Sequence, residues 1–183
     1  VLFNTFLDCA NLQYVLELPS SVENMRATYA RCTKLETAPQ IPLNVTNMQQ
    51  TFLLTAISIA PEIPDKVENM QSTFQGTKII EAPQIPTSVV NMNTTFYSCS
   101  LLTTASEIPS NVRTIQNTYN NCPKLNGKIE INANISIEDT SAYAGCLNAS
   151  CREVGLSLKV YGTCPAITNI IKYAIATGAK IVL

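Results

Sequence analysis

Apolar and polar positions along this chain recur every 22 or 23 residues, a spacing that neither a lone strand nor a lone helix produces. The strongest column is aromatic, Phe6, Tyr29, Phe52, Phe74, Phe96 and Tyr119, each preceded by threonine. Four residues earlier stand Leu2, Met25, Met48, Met70, Met92 and Ile115, and three before those stand Val22, Val45, Val67, Val89 and Val112. After each aromatic come a small side chain (Cys9, Cys32, Thr55, Thr77, Cys99, Cys122) and then an aliphatic one (Leu12, Leu35, Ile57, Ile79, Leu102, Leu125). Most units close on Ile-Pro, as at Ile41-Pro42 and Ile63-Pro64. A unit this short cannot bury its own apolar face, so neighbouring units must stack around a shared core, and the pattern predicts a solenoid.

Within each unit, V-x-x-M-x-x-x-F matches one face of a short helical turn, predicted to pack inward. The stretch from the aliphatic column to Ile-Pro, such as Leu35-Glu36-Thr37-Ala38, reads as a short parallel strand. Pro39, Pro61 and Pro83 cannot donate to a ladder and would limit it to about three to five residues. Asn24, Asn47, Asn69 and Asn91 form a further column. Stacked about 4.8 Å apart, their amides can hydrogen-bond along the stack and satisfy turn backbone. The threonines before the aromatics are candidates for the same role.

After Leu125 the repeat loosens. Ile129, Ile131 and Ile135 continue it, and Tyr143 and Cys146 echo the aromatic and cysteine columns. Val154 to Val160 alternates as a strand, and Thr163 can cap a helix opened by Pro165 and stopped at Gly178. Lys180 to Leu183 reads as a last strand. The expectation is a solenoid over 1–131, followed by an atypical last repeat and a small β-α-β cap over 132–183. Leu2 already stands in the methionine column with no polar capping unit ahead of it. The chain is thus expected to be a piece of something longer, or to be covered by a partner at that end.

The segments Val22 to Leu35 and Val89 to Leu102 resemble the BspA-type leucine-rich repeat surface proteins, whose units read roughly V-x-N-M-x-x-x-F-x-x-C-x-x-L. Thr55 and Thr77 depart from the cysteine, and the A-P-x-I-P segment departs from more aliphatic relatives. The resemblance implies an α/β solenoid, a right-handed coil of 22–23-residue units that each pair a short parallel strand with a short helical turn. It also implies display outside the cell or on its surface, and adhesion to, or recognition of, a protein or glycan on a host or neighbouring cell. A second class of role is purely structural, a spacer or accessory subunit of a virion or surface layer that contacts sister subunits and no ligand.

Composition narrows the chemistry. A formal charge of −1 lacks the basic field that nucleic acid needs. No stretch approaches the roughly 18 uninterrupted apolar residues of a membrane span. Histidine is absent, which removes the commonest general base and metal ligand. With no phosphate loop and no nucleophile elbow, the chain is expected to be neither an enzyme nor a cofactor or metal protein. Cys9, Cys32, Cys99 and Cys122 stand in an inward column and are expected to be buried free thiols. A bridge from Cys151 to Cys164 and plain packing both fit the cap. Sequons at Asn44, Asn93, Asn134 and Asn148 matter only in a secreted eukaryotic setting.

The candidate ligand-binding residues form the column just before Ile-Pro: Glu17, Gln40, Glu62, Gln84, Glu107 and Glu130, with Tyr14 beside Glu17. On a strand these side chains face away from the buried Ile41 column and would line one exposed face, about 5 Å per rung. Alternating Glu with Gln avoids stacking like charges and keeps the face soluble. The same strip offers a mildly acidic, hydrogen-bonding track for a glycan or a basic peptide.

Overall fold

The computed structural model describes residues 1–125, 128–132, 157–161 and 180–182. Successive repeats stack as coils that share one interior. We number them coil 1 (2–18), coil 2 (22–41), coil 3 (45–63), coil 4 (67–85), coil 5 (89–108) and coil 6 (112–130). The six aromatic rings lie stacked and nearly parallel along the stack. Consecutive centroids are 5.5, 5.8, 5.9, 5.7 and 5.3 Å apart, and the planes lie within 10° of parallel. From Tyr29 to Tyr119 the rings are fully buried, and the valine, methionine and aliphatic columns are buried around them. That continuous column is the core on which every other feature is hung.

The segment from methionine to the small-residue column is built from linked turns, and among the described residues there is no α-helix. Two positions per coil adopt the left-handed backbone region. Two residues before the ring these are Asn4, Ala27, Gln50, Ser72, Thr94 and Asn117, and two after it Asp8, Arg31, Leu54, Gly76, Ser98 and Asn121. In coil 2 the Thr28 N–H donates to Met25 O at 3.1 Å, with Ala27 at φ 50° in third place. The Cys32 N–H donates to Tyr29 O at 3.1 Å, with Arg31 at φ 62° in the same place. Both are type II signatures.

The two left-handed residues of each coil, four apart, decide how the coils are joined. They turn alternate N–H groups out of the coil along the stack. Met25, Ala27, Tyr29 and Arg31 donate to Asn47, Gln49, Thr51 and Leu53 of the next coil at 2.9, 2.8, 3.0 and 2.7 Å. The intervening Thr28, Ala30 and Cys32 close their own turns, and the Arg26 N–H is taken by Asn24 Oδ1 at 2.9 Å. Every donor from 25 to 32 therefore has a partner. Coils 3, 4 and 5 repeat the pattern at equivalent residues. A helix would close its bonds within itself and leave this side of the coils unlinked, whereas the linked turns observed in place of the expected helical turn join each coil to the next.

The Asn and Thr columns divide the work differently than expected. Asn47, Asn69 and Asn91 each accept the N–H two residues on through Oδ1, at 2.9, 3.0 and 2.9 Å, so these side-chain oxygens cap their own turn rather than run along the stack. At this column the stack is joined by backbone bridges instead, Asn24↔Asn47↔Asn69↔Asn91↔Thr114, all parallel. The threonine hydroxyls do cross between coils. Thr95 Oγ1 lies 2.7 Å from Met92 O in its own coil and 2.9 Å from Met70 O in the one before. Thr28, Thr51 and Thr118 repeat that geometry.

Cys32, Cys99 and Cys122 are buried free thiols, each donating to the carbonyl of the preceding coil's aromatic at 3.0 Å. Cys9 is also free but exposed, contrary to its expected burial, because in the described structure no coil covers that side of coil 1.

The segments from the aliphatic column to Ile-Pro are extended, yet they do not form the parallel strands expected of them. Among the described residues of coils 1–5 the only pairing there is the isolated bridge Glu81↔Thr104 and a few single bonds, such as Lys78 N–H to Ile57 O at 3.0 Å. Pro39, Pro61 and Pro83 each remove one donor in coils 2 to 4, and the turn side already sets the spacing between coils. Among the described residues, regular strands appear only from the end of coil 6 onward: β1 (Lys128–Asn132), β2 (Ser157–Tyr161) and β3 (Lys180–Val182). They pair in parallel in the order β1-β2-β3, with Lys128 opposite Ser157 and Ser157 opposite Lys180. The helix expected between Pro165 and Gly178, together with Ile135, Tyr143, Cys146, Cys151 and Cys164, lies outside the described residues.

Candidate recognition face

With the turn side carrying the main-chain bonds, the opposite side is left open from coil 1 to coil 3, while coils 4 and 5 are joined there by Ala82 N–H to Thr104 O and Thr103 N–H to Ile80 O at 3.0 and 2.8 Å. The N–H groups of Glu36, Thr37, Ala38 and Gln40 have no partner among the described residues, and neither do those of Ser58, Ile59 and Glu62. Main-chain hydrogen-bonding capacity is therefore available on a face that is also rich in exposed apolar side chains. Tyr14, Leu16 and Ile59 are 86%, 89% and 81% exposed, far more than large apolar residues that merely edge a core.

The candidate column lies on this face. Glu17, Gln40, Glu62, Gln84 and Glu107 are all exposed, and Glu130 lies on β1, half-buried, its carbonyl accepting the Ile108 N–H at 2.7 Å. Glu17 and Gln40 share a groove of about 240 Å³ between coils 1 and 2, and Gln84 and Glu107 share one of about 210 Å³ between coils 4 and 5. Glu62 projects from coil 3 between the two. Tyr14 is two residues past Leu12, the place that Ile59 and Glu81 take after Ile57 and Ile79, so it heads a neighbouring column.

Two more grooves emerge only from the structure. One of about 200 Å³ runs between coils 2 and 3 past Glu36, Ala38 and Ile59, and one of about 350 Å³ between coils 3 and 4 past Ile59, Ile80, Glu81 and Pro83. Glu36 and Glu81 did not stand out because they leave the Glu/Gln column. They occur in the two coils whose column residue is Gln40 or Gln84. Each of coils 1–5 thus contributes one carboxylate to the face. The carboxylate alternates between its two edges from coil 1 to coil 5, a pattern visible in sequence once the register is known.

Charge is segregated around the stack. The five segments 12–18, 35–41, 57–63, 79–85 and 102–108 hold Glu17, Glu36, Glu62, Glu81 and Glu107 and no lysine or arginine. Several cations of the turn side are engaged with neighbouring coils. Arg31 forms a bidentate pair with Asp8, Lys34 reaches Asn11 Oδ1 at 2.8 Å, and Lys66 reaches Asn44 Oδ1 at 2.7 Å. Hydrogen bonding to Arg31 holds the Asp8 carboxyl below its ordinary range. The shifted groups of the interior have a different cause: burial pushes Tyr29 up to about 12 and the Cys32 and Cys99 thiols up to about 11. These are properties of a packed core and not of a reactive centre. Among the described residues no group of acidic, cysteine or histidine side chains could hold a metal ion, and no helix is long and apolar enough to cross a membrane.

Short coils of 22–23 residues stacked on a shared aromatic, methionine and leucine core define a leucine-rich-repeat solenoid. The family profile described as BspA type leucine rich repeat region matches residues 59–150 in six copies, and the chain belongs to that family. Coils 1 and 2, which lie ahead of the matched span, carry the same columns and the same bonds. Comparison with curated proteins and with solved structures returns no match.

Proposed function

We propose that the chain is a non-enzymatic recognition module of a surface-displayed protein, and that it binds through the open face of the solenoid. The observation that carries this reading is the coincidence, on one side of the stack, of unpaired main-chain donors, exposed Tyr14, Leu16 and Ile59, and unneutralised carboxylates. A solvated face would display charge without the apolar side chains, and a core face would display neither. Family membership supports surface association, and adhesion or partner recognition is the use to which such a face is suited.

The test is a selection from a displayed 12-residue peptide library and a printed glycan array, repeated with a triple variant Tyr14→Ala, Glu62→Ala, Glu107→Ala. Binders that lose affinity for the variant, while its melting temperature stays that of the wild type, support the reading. Binders indifferent to the variant would place recognition elsewhere. Self-association that covers this face would instead favour a structural role.

A further inference from the structure

Building on that reading, we propose that the open face takes a basic, extended polypeptide segment of a partner protein, with its lysine or arginine side chains seated in the grooves between coils. Each of the four grooves combines the same ingredients. Its walls are aliphatic (Ile41 between coils 1 and 2, Ile59 for the next two, Ile85 for the last), and one carboxylate stands at its rim: Glu17, Glu36, Glu81 and Glu107 in turn. A lysine or arginine side chain is built the same way, an apolar stem ending in a cation, and it lies along apolar surface with its head on a charged rim. A sugar presents hydroxyls and no long apolar stem, and an acidic or neutral peptide leaves the carboxylates without partners.

Charge and spacing support the same occupant. None of the five segments supplies a cation of its own to pair with these carboxylates. Ring centroids mark coil steps of 5.3–5.9 Å. Side chains on one side of an extended strand are about 6.6 Å apart. A strand laid obliquely along the stack therefore brings every second side chain to a successive groove. Exposed Tyr14 and Ile59 supply apolar contact between the charged positions.

The probe is a fluorescein-labelled dodecapeptide of alternating lysine and threonine, read by fluorescence anisotropy against the whole chain. Norleucine replaces lysine in a matched peptide with the same stems and no charge. The variant Glu36→Gln, Glu81→Gln is compared with the charge-matched Glu23→Gln, Glu68→Gln beside the asparagine column. The expected result is binding of the lysine peptide that weakens roughly tenfold or more in the first variant, changes little in the second, and falls as salt is raised. The norleucine peptide is expected to bind far more weakly. Equal weakening in both variants would mean attraction by net charge alone and would overturn the inference, as would equal binding of both peptides. If the lysine peptide fails while library or glycan binders remain sensitive to Tyr14→Ala, Glu62→Ala, Glu107→Ala, the basic occupant is rejected and the recognition face stands. If those binders are indifferent too, both fall.

Discussion

Removing a ring stacked on both sides should damage the fold far more than removing Phe6, which is stacked on one side among the described residues. Phe74 is fully buried, with Phe52 at 5.9 Å on one side and Phe96 at 5.7 Å on the other. Replacing a buried phenylalanine by alanine costs about 3–5 kcal/mol in lost transfer energy and cavity. Within that sum, two stacked partners account for about 1–3 kcal/mol at roughly 0.5–1.5 each. Phe6 is only partly buried and has one stacked neighbour, Tyr29 at 5.5 Å. Phe6→Ala is therefore expected to cost less than half as much, about 1–2 kcal/mol. The assay is urea denaturation followed by far-ultraviolet circular dichroism, with the unfolding slope compared between variants. Because coils contact only their neighbours, Phe74→Ala is also expected to weaken cooperativity between the two halves and lower the slope. Equal losses at the two positions, or a loss at Phe74 below about 0.5 kcal/mol, would refute the shared column.

Three further outcomes follow from the interior. The Tyr29 hydroxyl is buried with no hydrogen-bond partner, and four of the six column positions carry phenylalanine, so Tyr29→Phe should raise stability by about 1 kcal/mol in the same assay. A loss would mean that the hydroxyl is satisfied. Burial raises Cys99 from 9.0 to about 11, so the folded state holds that proton more tightly than the unfolded one. The stability this group contributes is complete below pH 9 and is lost as pH rises through about 11. At neutral pH, iodoacetamide should label Cys9 quickly and Cys32, Cys99 and Cys122 only on unfolding, as peptide mass mapping would report; rapid labelling of Cys99 in the folded chain would contradict its burial.

The stack was legible in the sequence because packing columns survive any local backbone that delivers them. Phe52 and Met48 are buried whether the residues between them form a helix or linked turns. The backbone was not legible, since V-x-x-M-x-x-x-F satisfies both geometries. The residues that distinguish them are Ala27, Gln50 and Thr94, which give no hint of positive φ, whereas Asn4, Asp8, Gly76, Asn117 and Asn121 in the same two columns are the types that tolerate it. Periodicity therefore placed the side chains and left the direction of the N–H groups open. The candidate face was half legible: the Glu/Gln column and Tyr14 stood out by position. Glu36, Glu81 and Ile59 did not, because their role depends on grooves between coils that no single repeat contains.

The most direct measurement is residue-resolved amide hydrogen exchange of the native chain. The N–H groups of Ala27, Tyr29, Gln50, Phe52, Ser72 and Phe74 link successive coils and should be strongly protected, while those of Glu36, Thr37, Ser58 and Ile59 should exchange quickly. Protection in the opposite places would mean that parallel strands join the coils through the Leu-to-Ile segments, and the face described as open would be closed by its own ladder.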